Sequence, residues 1–206
     1  MKITEIKVGL GSCGIAAGAQ QVYDTLTALV KEHKLPLAVT ATGCIGACHR
    51  EPIIETIETD GTRRYFGEVT EQRVRKFVEE GFSEESLGSE SLITPEYQYL
   101  ARQNKIVLKN SGVINPESIG DYIAAGGYAA LKKVIKTLTP RQVIEEVTAS
   151  GLRGRGGAGF PTGKKWGLIA DVTAKRKFMV CNADEGDPGA FMDRSVLEND
   201  PHSVIE

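Results

Sequence analysis

The sequence predicts an α/β fold in two successive parts, and three observations carry the prediction. Residues 3–80 alternate between short β-branched runs and runs of helical period. A Ser/Glu-rich stretch, "SEESLGSESLITPE" at 83–96, then breaks that alternation without a period of its own. From residue 105 onward, helical segments are separated by loops in which glycines cluster.

The elements follow in order. Residues 3–10 alternate like a strand. Residues 18–33 place Val22, Leu26, Leu29 and Val30 on one helix face. Residues 37–42 form a second strand that runs into Gly43 and Cys44. Residues 53–58 and 62–69 flank Asp60–Gly61, a hairpin signal. Residues 70–80 form a helix with Val74, Phe77 and Val78 inward. This β-α-β-β-β-α order resembles thioredoxin. Residues 83–104 read as a linker. "KIVLKN" at 105–110 is expected to be a short strand. Asn115 and Pro116 read as the N-cap and first position of a helix ending near Ala125, before Gly126–Gly127. A further helix covers 128–138, and Thr139–Pro140 opens another that ends near Ser150.

Bulk properties exclude several classes. The 206 residues carry a net charge of -2 with 25% charged residues. That balance argues against a nucleic-acid partner and a polybasic membrane anchor. No apolar run approaches the ~20 residues that a spanning helix needs. The N-terminus "MKITEIKVGLGSC" lacks the apolar centre of a signal peptide. A cytoplasmic location is expected, where thiols stay reduced and more often bind metal or react than pair.

Two stretches carry chemistry. Cys44 and Cys48 lie in "TGCIGACHREP", and Cys13 follows the first strand in "GLGSCGIAAGA". Both loops leave the same end of a thioredoxin-like sheet, so three thiolates can converge. Soft thiolates favour zinc, copper or iron–sulfur clusters, and a [2Fe–2S] cluster takes four ligands. The bland alternative is a set of buried structural cysteines. The second stretch is "GLRGRGGAGFPTGKKW" at 151–166. Gly154, Gly156 and Gly159 satisfy G-x-G-x-x-G, but a helical segment precedes them and Pro161 follows closely, so a Rossmann turn is not expected. A P-loop is excluded because Lys165 stands where Ser or Thr belongs. What remains is a donor-rich loop suited to an anion, with Arg153, Arg155, Lys164 and Lys165 as cations and Phe160 and Trp166 as flat surfaces. "KFMVC" at 177–181 reads as a buried strand ending in Asn182, Asp184, Glu185 and Asp187, groups suited to the hydroxyls of a ribityl or ribose chain.

These motifs carry two resemblances. Residues 5–82 look like the thioredoxin-like [2Fe–2S] ferredoxin domain of NADH-oxidising modules. In that family a C-x4-C pair precedes a C-x3-C pair within "TGCxGxC". Cys13, Cys44 and Cys48 match three of its ligands, and Val8 stands at the fourth. The resemblance implies either that another group completes the site, Ser12 and His49 being nearest in sequence, or that the cluster is lost. Residues 105–206 resemble the N-terminal part of the FMN-binding α/β domain of the flavin subunit of complex I-type NADH dehydrogenases. "SIGDYIAAGGYAAL", "GLRGRGGAGFPTG", "NADEGDPGAF" and "DRSVLENDPH" carry that likeness. It implies that Gly154, Arg155, Gly156, Gly157 and Lys165 cradle the FMN phosphate, and that Asn182, Asp184 and Glu185 hold its ribityl chain and ring. It also places Phe160 and Asp187 beside NAD(H).

Carrying both domains on one chain is similar to the fused subunits of soluble NAD-dependent [FeFe]-hydrogenases and formate dehydrogenases. The implied function is hydride exchange between NAD(H) and FMN, then single-electron transfer to iron–sulfur clusters of partner subunits. No side chain is expected to act as a general acid or base. The family's later flavin contacts and its [4Fe–4S] motif lie beyond residue 206, so the chain is expected to be a fragment and inactive alone. A reading of a different class is a non-catalytic docking module with a degenerate ferredoxin domain.

Overall fold

The structure, a computed structural model, describes residues 2–94 and 98–206, with the side chains of residues 98 and 99 left aside. It divides into two compact units. One holds residues 1–125 with 185–205, and the other holds 126–184 with Glu206.

The first unit is built on a five-stranded sheet in the order β2-β1-β3-β4-β5. Its strands are β1 (Ile3–Gly9), β2 (Ala38–Thr42), β3 (Ile54–Glu58), β4 (Arg63–Phe66) and β5 (Leu92–Ile93). β1 pairs parallel to β2 and antiparallel to β3, which pairs antiparallel to β4. That is the thioredoxin-like arrangement. The parallel crossover is made by α1 (Ser12–Ala17) and α2 (Ala19–Glu32), joined through Gly18 at φ 104. Helix α3 (Glu71–Glu79) starts at Thr70, whose side chain accepts from the Arg73 N–H. Ile6, Val8, Leu26, Phe66, Val74 and Phe77 form the centre of the apolar core between sheet and helices. Alternation in β1 and the 3.6 period in α2 and α3 each supply one face of that core. The hairpin forms as expected: Gly61 has φ 84, and the Asp60 carboxylate accepts from the Thr62 N–H at 2.8 Å.

Three expectations fail in this unit. The Ser/Glu-rich stretch is ordered over residues 83–93 as two 3-10 turns, Glu84–Leu87 and Ser89–Ser91, followed by β5. Leu87 is fully buried in the core, and Ser91 donates to the Leu87 carbonyl while accepting from Arg73. One apolar anchor and local hydrogen bonds order a segment whose composition reads as a linker. The part of that expectation at 95–97 lies outside the described residues. Residues 105–110 form turns instead of a strand, with Ile106 exposed. Asn115 does not cap a helix. Its side chain accepts from the Glu117 N–H, and α5 (Ile119–Ala124) is capped by Ser118, which accepts from the Asp121 N–H. A short helix, α4 (Gln98–Ala101), precedes these turns.

The second unit contains α6 (Ala129–Thr137), α7 (Pro140–Ala149) and α8 (Thr162–Ala170). The Thr139–Pro140 start is a full capping box with Gln142. α8 packs on α7 at Gly163, where any Cβ would meet the Thr148 backbone. Residues 177–181, expected as a buried strand, form no strand, and Phe178, Met179 and Val180 are about four-fifths exposed. The described residues of this unit offer helices and loops and no strand for it to pair with. Two more helices, α9 (Met192–Asn199) and α10 (Pro201–Ile205), belong to the first unit.

Candidate functional site

The three thiols converge. Cys44 and Cys48 lie with their sulfurs 3.7 Å apart, on the loop leaving β2. Cys13 lies in the first turn of α1 and faces the same cavity as Cys48. All three line a cavity of about 590 Å³, together with Ser12, His49 and residues of α9. Cys44 is the inner thiol. Burial pushes it up to about 12, against the Gly46 N–H, which donates to its sulfur at 3.2 Å. The neighbouring Cys48 thiol, ahead of burial, raises Cys13. Neutral thiols are therefore the resting state of Cys13 and Cys44, and a cation or cluster would have to displace their protons.

Val8 takes no part. Its side chain is fully buried in the apolar core with Ile6 and Leu26, and it is absent from the cavity lining. Cys181 is exposed and lies in the other unit. The donor set is thus three thiols. Among the described residues, no three His, Cys, Asp or Glu side chains are placed to hold a single metal ion. The three sulfurs line one cavity, but a four-thiolate [2Fe–2S] site does not fit them.

A carboxyl lies under the thiol loop. Glu51 is 9% exposed, and one of its oxygens accepts from the Ile53 N–H at 2.8 Å while the other has no partner. Burial pushes it up to about 7. The signal for it in sequence is slight, an acid between Arg50 and Pro52. The cysteine loop is also braced by residues that sequence reasoning did not single out. Lys105 donates to the Ile45 carbonyl at 2.6 Å, and Thr42 donates to the Ile114 carbonyl at 3.1 Å.

The glycine loop forms a separate candidate site in the second unit. It leaves α7 and enters α8 directly after Pro161, so it does open a helix. Its ends are tied by Gly154 N–H to Phe160 carbonyl at 2.9 Å and Thr162 N–H to Leu152 carbonyl at 2.9 Å. Between the ties, the N–H groups of Arg155, Gly156, Gly157 and Ala158 have no acceptor among the described residues. Gly157 and Gly159 take positive φ, and a Cβ at Gly156, Gly157 or Gly159 would meet nothing within 4 Å. Open N–H groups before the N-terminus of a nine-residue helix fit an anionic phosphate. Lys164 sits 5.8 Å from the Phe160 ring centre, and Lys165 is exposed beside it in the first turn of α8.

The acidic residues are spread. Asn182 closes a turn by accepting from the Asp184 N–H at 3.2 Å, and both residues are exposed. Glu185, at φ 47, accepts from the Asp193 and Arg194 N–H groups at the start of α9. Asp187 is exposed, and its carbonyl accepts from the Ala190 N–H.

Residues 147–206 match the family model described as the Nuo51 FMN-binding domain. Over 105 residues, 51% of the chain, it is 62% identical to the NADP-reducing hydrogenase subunit HndC of Solidesulfovibrio fructosivorans, spanning 21% of that protein. Over 101 residues, 49% of the chain, it is 48% identical to an NADH-quinone oxidoreductase component of Rhizobium meliloti, spanning 24% of it. The chain therefore spans between a fifth and a quarter of these relatives. Among solved structures, the thioredoxin-like [2Fe–2S] ferredoxin of Aquifex aeolicus aligns with 46% of this chain and 99% of its own, at 17% identity and TM-score 0.38. An NAD+-reducing [NiFe]-hydrogenase aligns with 96% of this chain and 33% of its own, at 22% identity and TM-score 0.35.

Proposed function

We infer that this chain is the flavin-bearing part of an electron-transfer subunit, working in the cytoplasm within a multisubunit NADH dehydrogenase or hydrogenase. The observation that carries the reading is the row of unpaired N–H groups at 155–158, held between two helices and followed by two lysines. That row lies inside the stretch that matches an FMN-binding domain. Gly154, Arg155, Gly156, Gly157 and Lys165 hold the FMN phosphate. Asn182, Asp184 and Glu185 serve the ribityl chain and ring, while Phe160 and Asp187 serve NAD(H). Bound FMN supplies the exchange of a hydride for single electrons. The side chains of this chain bind and orient, and none acts as a general acid or base. Cys13, Cys44 and Cys48 are the ligands of an iron–sulfur group that lacks its fourth thiolate and is therefore labile. Partner subunits supply the clusters that carry electrons onward.

The test is FMN titration of the chain, read by flavin fluorescence. Lys165→Ala removes the cation partner of a phosphate, a loss of about 2–5 kcal/mol or roughly one to three and a half decades in affinity. Lys164→Ala costs less, because that ammonium already sits over Phe160. Equal losses in the two variants would leave only general positive charge and would defeat the cradle assignment. A docking module without flavin is the second reading, favoured by the turn of Val8 into the core. A purified complete protein without flavin absorbance would select it.

A further inference from the structure

Two of the thiols are already in contact. The Cys44 and Cys48 sulfurs lie 3.7 Å apart, against about 2.05 Å in a disulfide. Between them stand Ile45, Gly46 and Ala47. Gly46 takes φ 98, which a side chain resists, and a Cβ there would meet nothing within 4 Å. The glycine therefore turns the chain back through backbone freedom and not for want of space. Beyond the turn, Cys48 opens the 3-10 turn Cys48–Arg50, where the Arg50 N–H donates to the Ala47 carbonyl at 2.8 Å. Before it, the Cys44 N–H donates to the Asn199 side-chain oxygen at 2.5 Å. Asn199 is 5% exposed, and its amide donates to the Ser195 carbonyl at 2.8 Å, which fixes its orientation. Hydrogen bonds thus hold the backbone at both ends of the pair, and the freedom left is rotation of two short side chains. The sulfurs differ in access: Cys48 is exposed, whereas Cys44 is half-buried and accepts from the Gly46 N–H at 3.2 Å. Lys105 and Arg194 line the same cavity. Thiolates are the attacking species, and cations beside them favour that form.

We propose that Cys44 and Cys48 form a dithiol–disulfide couple that exchanges with external disulfides, Cys48 attacking and Cys44 resolving. The pair needs no third ligand, so it stands with or without a metal group in the cavity. The exposed Cys48 sulfur attacks one sulfur of the external disulfide. That S–S bond breaks, its other sulfur leaves as a thiolate, and a mixed disulfide remains on Cys48. Cys44 then attacks the Cys48 sulfur from 3.7 Å away, the mixed disulfide breaks, and the second thiolate leaves. The external disulfide takes up two electrons and the two thiol protons and becomes two thiols, while the protein gains one S–S bond. Where thiols are kept reduced, the reverse steps reopen it and the couple cycles.

The probe is glutathione disulfide, added to the reduced full chain without oxygen and under chelator. Chelator keeps iron away, which separates the result from the iron–sulfur reading of the same sulfurs. After acid quench, trypsin releases residues 35–50 as one peptide with both cysteines, apart from Cys13 and Cys181, and its mass is read. In the unaltered chain this peptide loses two hydrogens and keeps no glutathione. Cys44→Ser stops at the mixed disulfide, with one glutathione on Cys48. In Cys48→Ser, Cys44 acquires glutathione more slowly than Cys48 does in Cys44→Ser. Cys13→Ser closes the bond as the unaltered chain does. In urea the unaltered chain shows a smaller closed share and a larger glutathione-bearing share than when folded.

Glutathione that persists on the peptide of the unaltered folded chain overturns the proposal, as does a bond joining Cys13 to either thiol. It is equally overturned if Cys44→Ser holds no more glutathione at Cys48 than the unaltered chain does. Equal closed shares in the folded and urea-unfolded chain overturn it too, since the pairing would then owe nothing to the fold. Should Cys44→Ser fail to fold, that last comparison decides, because it uses the unaltered chain alone.

Discussion

Replacing Glu51 with Gln should make the chain more stable at neutral pH and leave it unchanged in acid. Glu51 is buried with one oxygen unpartnered, and burial pushes its carboxyl from an ordinary value of 4.5 to about 7. The folded chain therefore keeps a proton that the unfolded chain releases. Between about pH 4.5 and 7 the folded state binds the extra proton, so stability falls as pH rises. Below and above that window Glu51 adds no slope. At about 1.36 kcal/mol per pH unit, the fall across the window is about 3 kcal/mol. Gln cannot ionise, and its carbonyl still accepts from the Ile53 N–H. Glu51→Gln should match the unaltered chain near pH 4 and exceed it by up to about 3 kcal/mol at pH 8.

The assay is urea unfolding followed by circular dichroism from pH 4 to pH 8, in reducing buffer with chelator. Asp60, Glu90, Asp121 and Glu198 have carboxyls held below their ordinary range, chiefly by backbone N–H groups for the first three. Their stability is present above the unfolded carboxylate range and is lost as pH falls, equally in both proteins. The difference between the two proteins isolates Glu51. A difference that is constant with pH, or that favours the unaltered chain at pH 8, would refute the reasoning.

Three further outcomes are expected. Val8→Cys should take up no more iron than the unaltered chain on anaerobic reconstitution, because position 8 faces the apolar core; a gain in iron and sulfide would show that the strand can turn. Leu87→Ala should cost about 2–5 kcal/mol in urea unfolding, since Leu87 is fully buried, whereas a true linker would lose almost nothing. Gly163→Val should part α8 from α7, where a Cβ would press on the Thr148 backbone, and Trp166 emission should shift to the red.

What the sequence reveals depends on the range of the forces involved. Strands β1 to β4 and helices α2 and α3 are legible because each is an apolar period closed by local signals, Asp60–Gly61 and Thr70 among them. The 3-10 turns after Ser83 are not, because one leucine among serines and glutamates has no period to report. Helix α8 is hidden by its own glycines, which suit close packing on α7 while lowering helical propensity. The strand expected at 177–181 shows the converse: its apolar run is correct for pairing, yet the described residues of its unit offer only helices and loops.

The thiol site divides along the same line. The convergence of Cys13 with Cys44 and Cys48 follows from the parallel pairing of β1 with β2, because both loops leave one end of the sheet. The failure of position 8 follows from alternation in β1, since Ile6 and Val8 share the face that meets α2. What holds the loops does not follow from any local pattern. Glu198 and Asn199 reach Ser12 and Cys44 across more than 150 residues, through hydrogen bonds that leave no period and no motif. Topology brings the thiols to one end of the sheet, and the polar contacts that tie their loops to α9 are visible only in the folded chain.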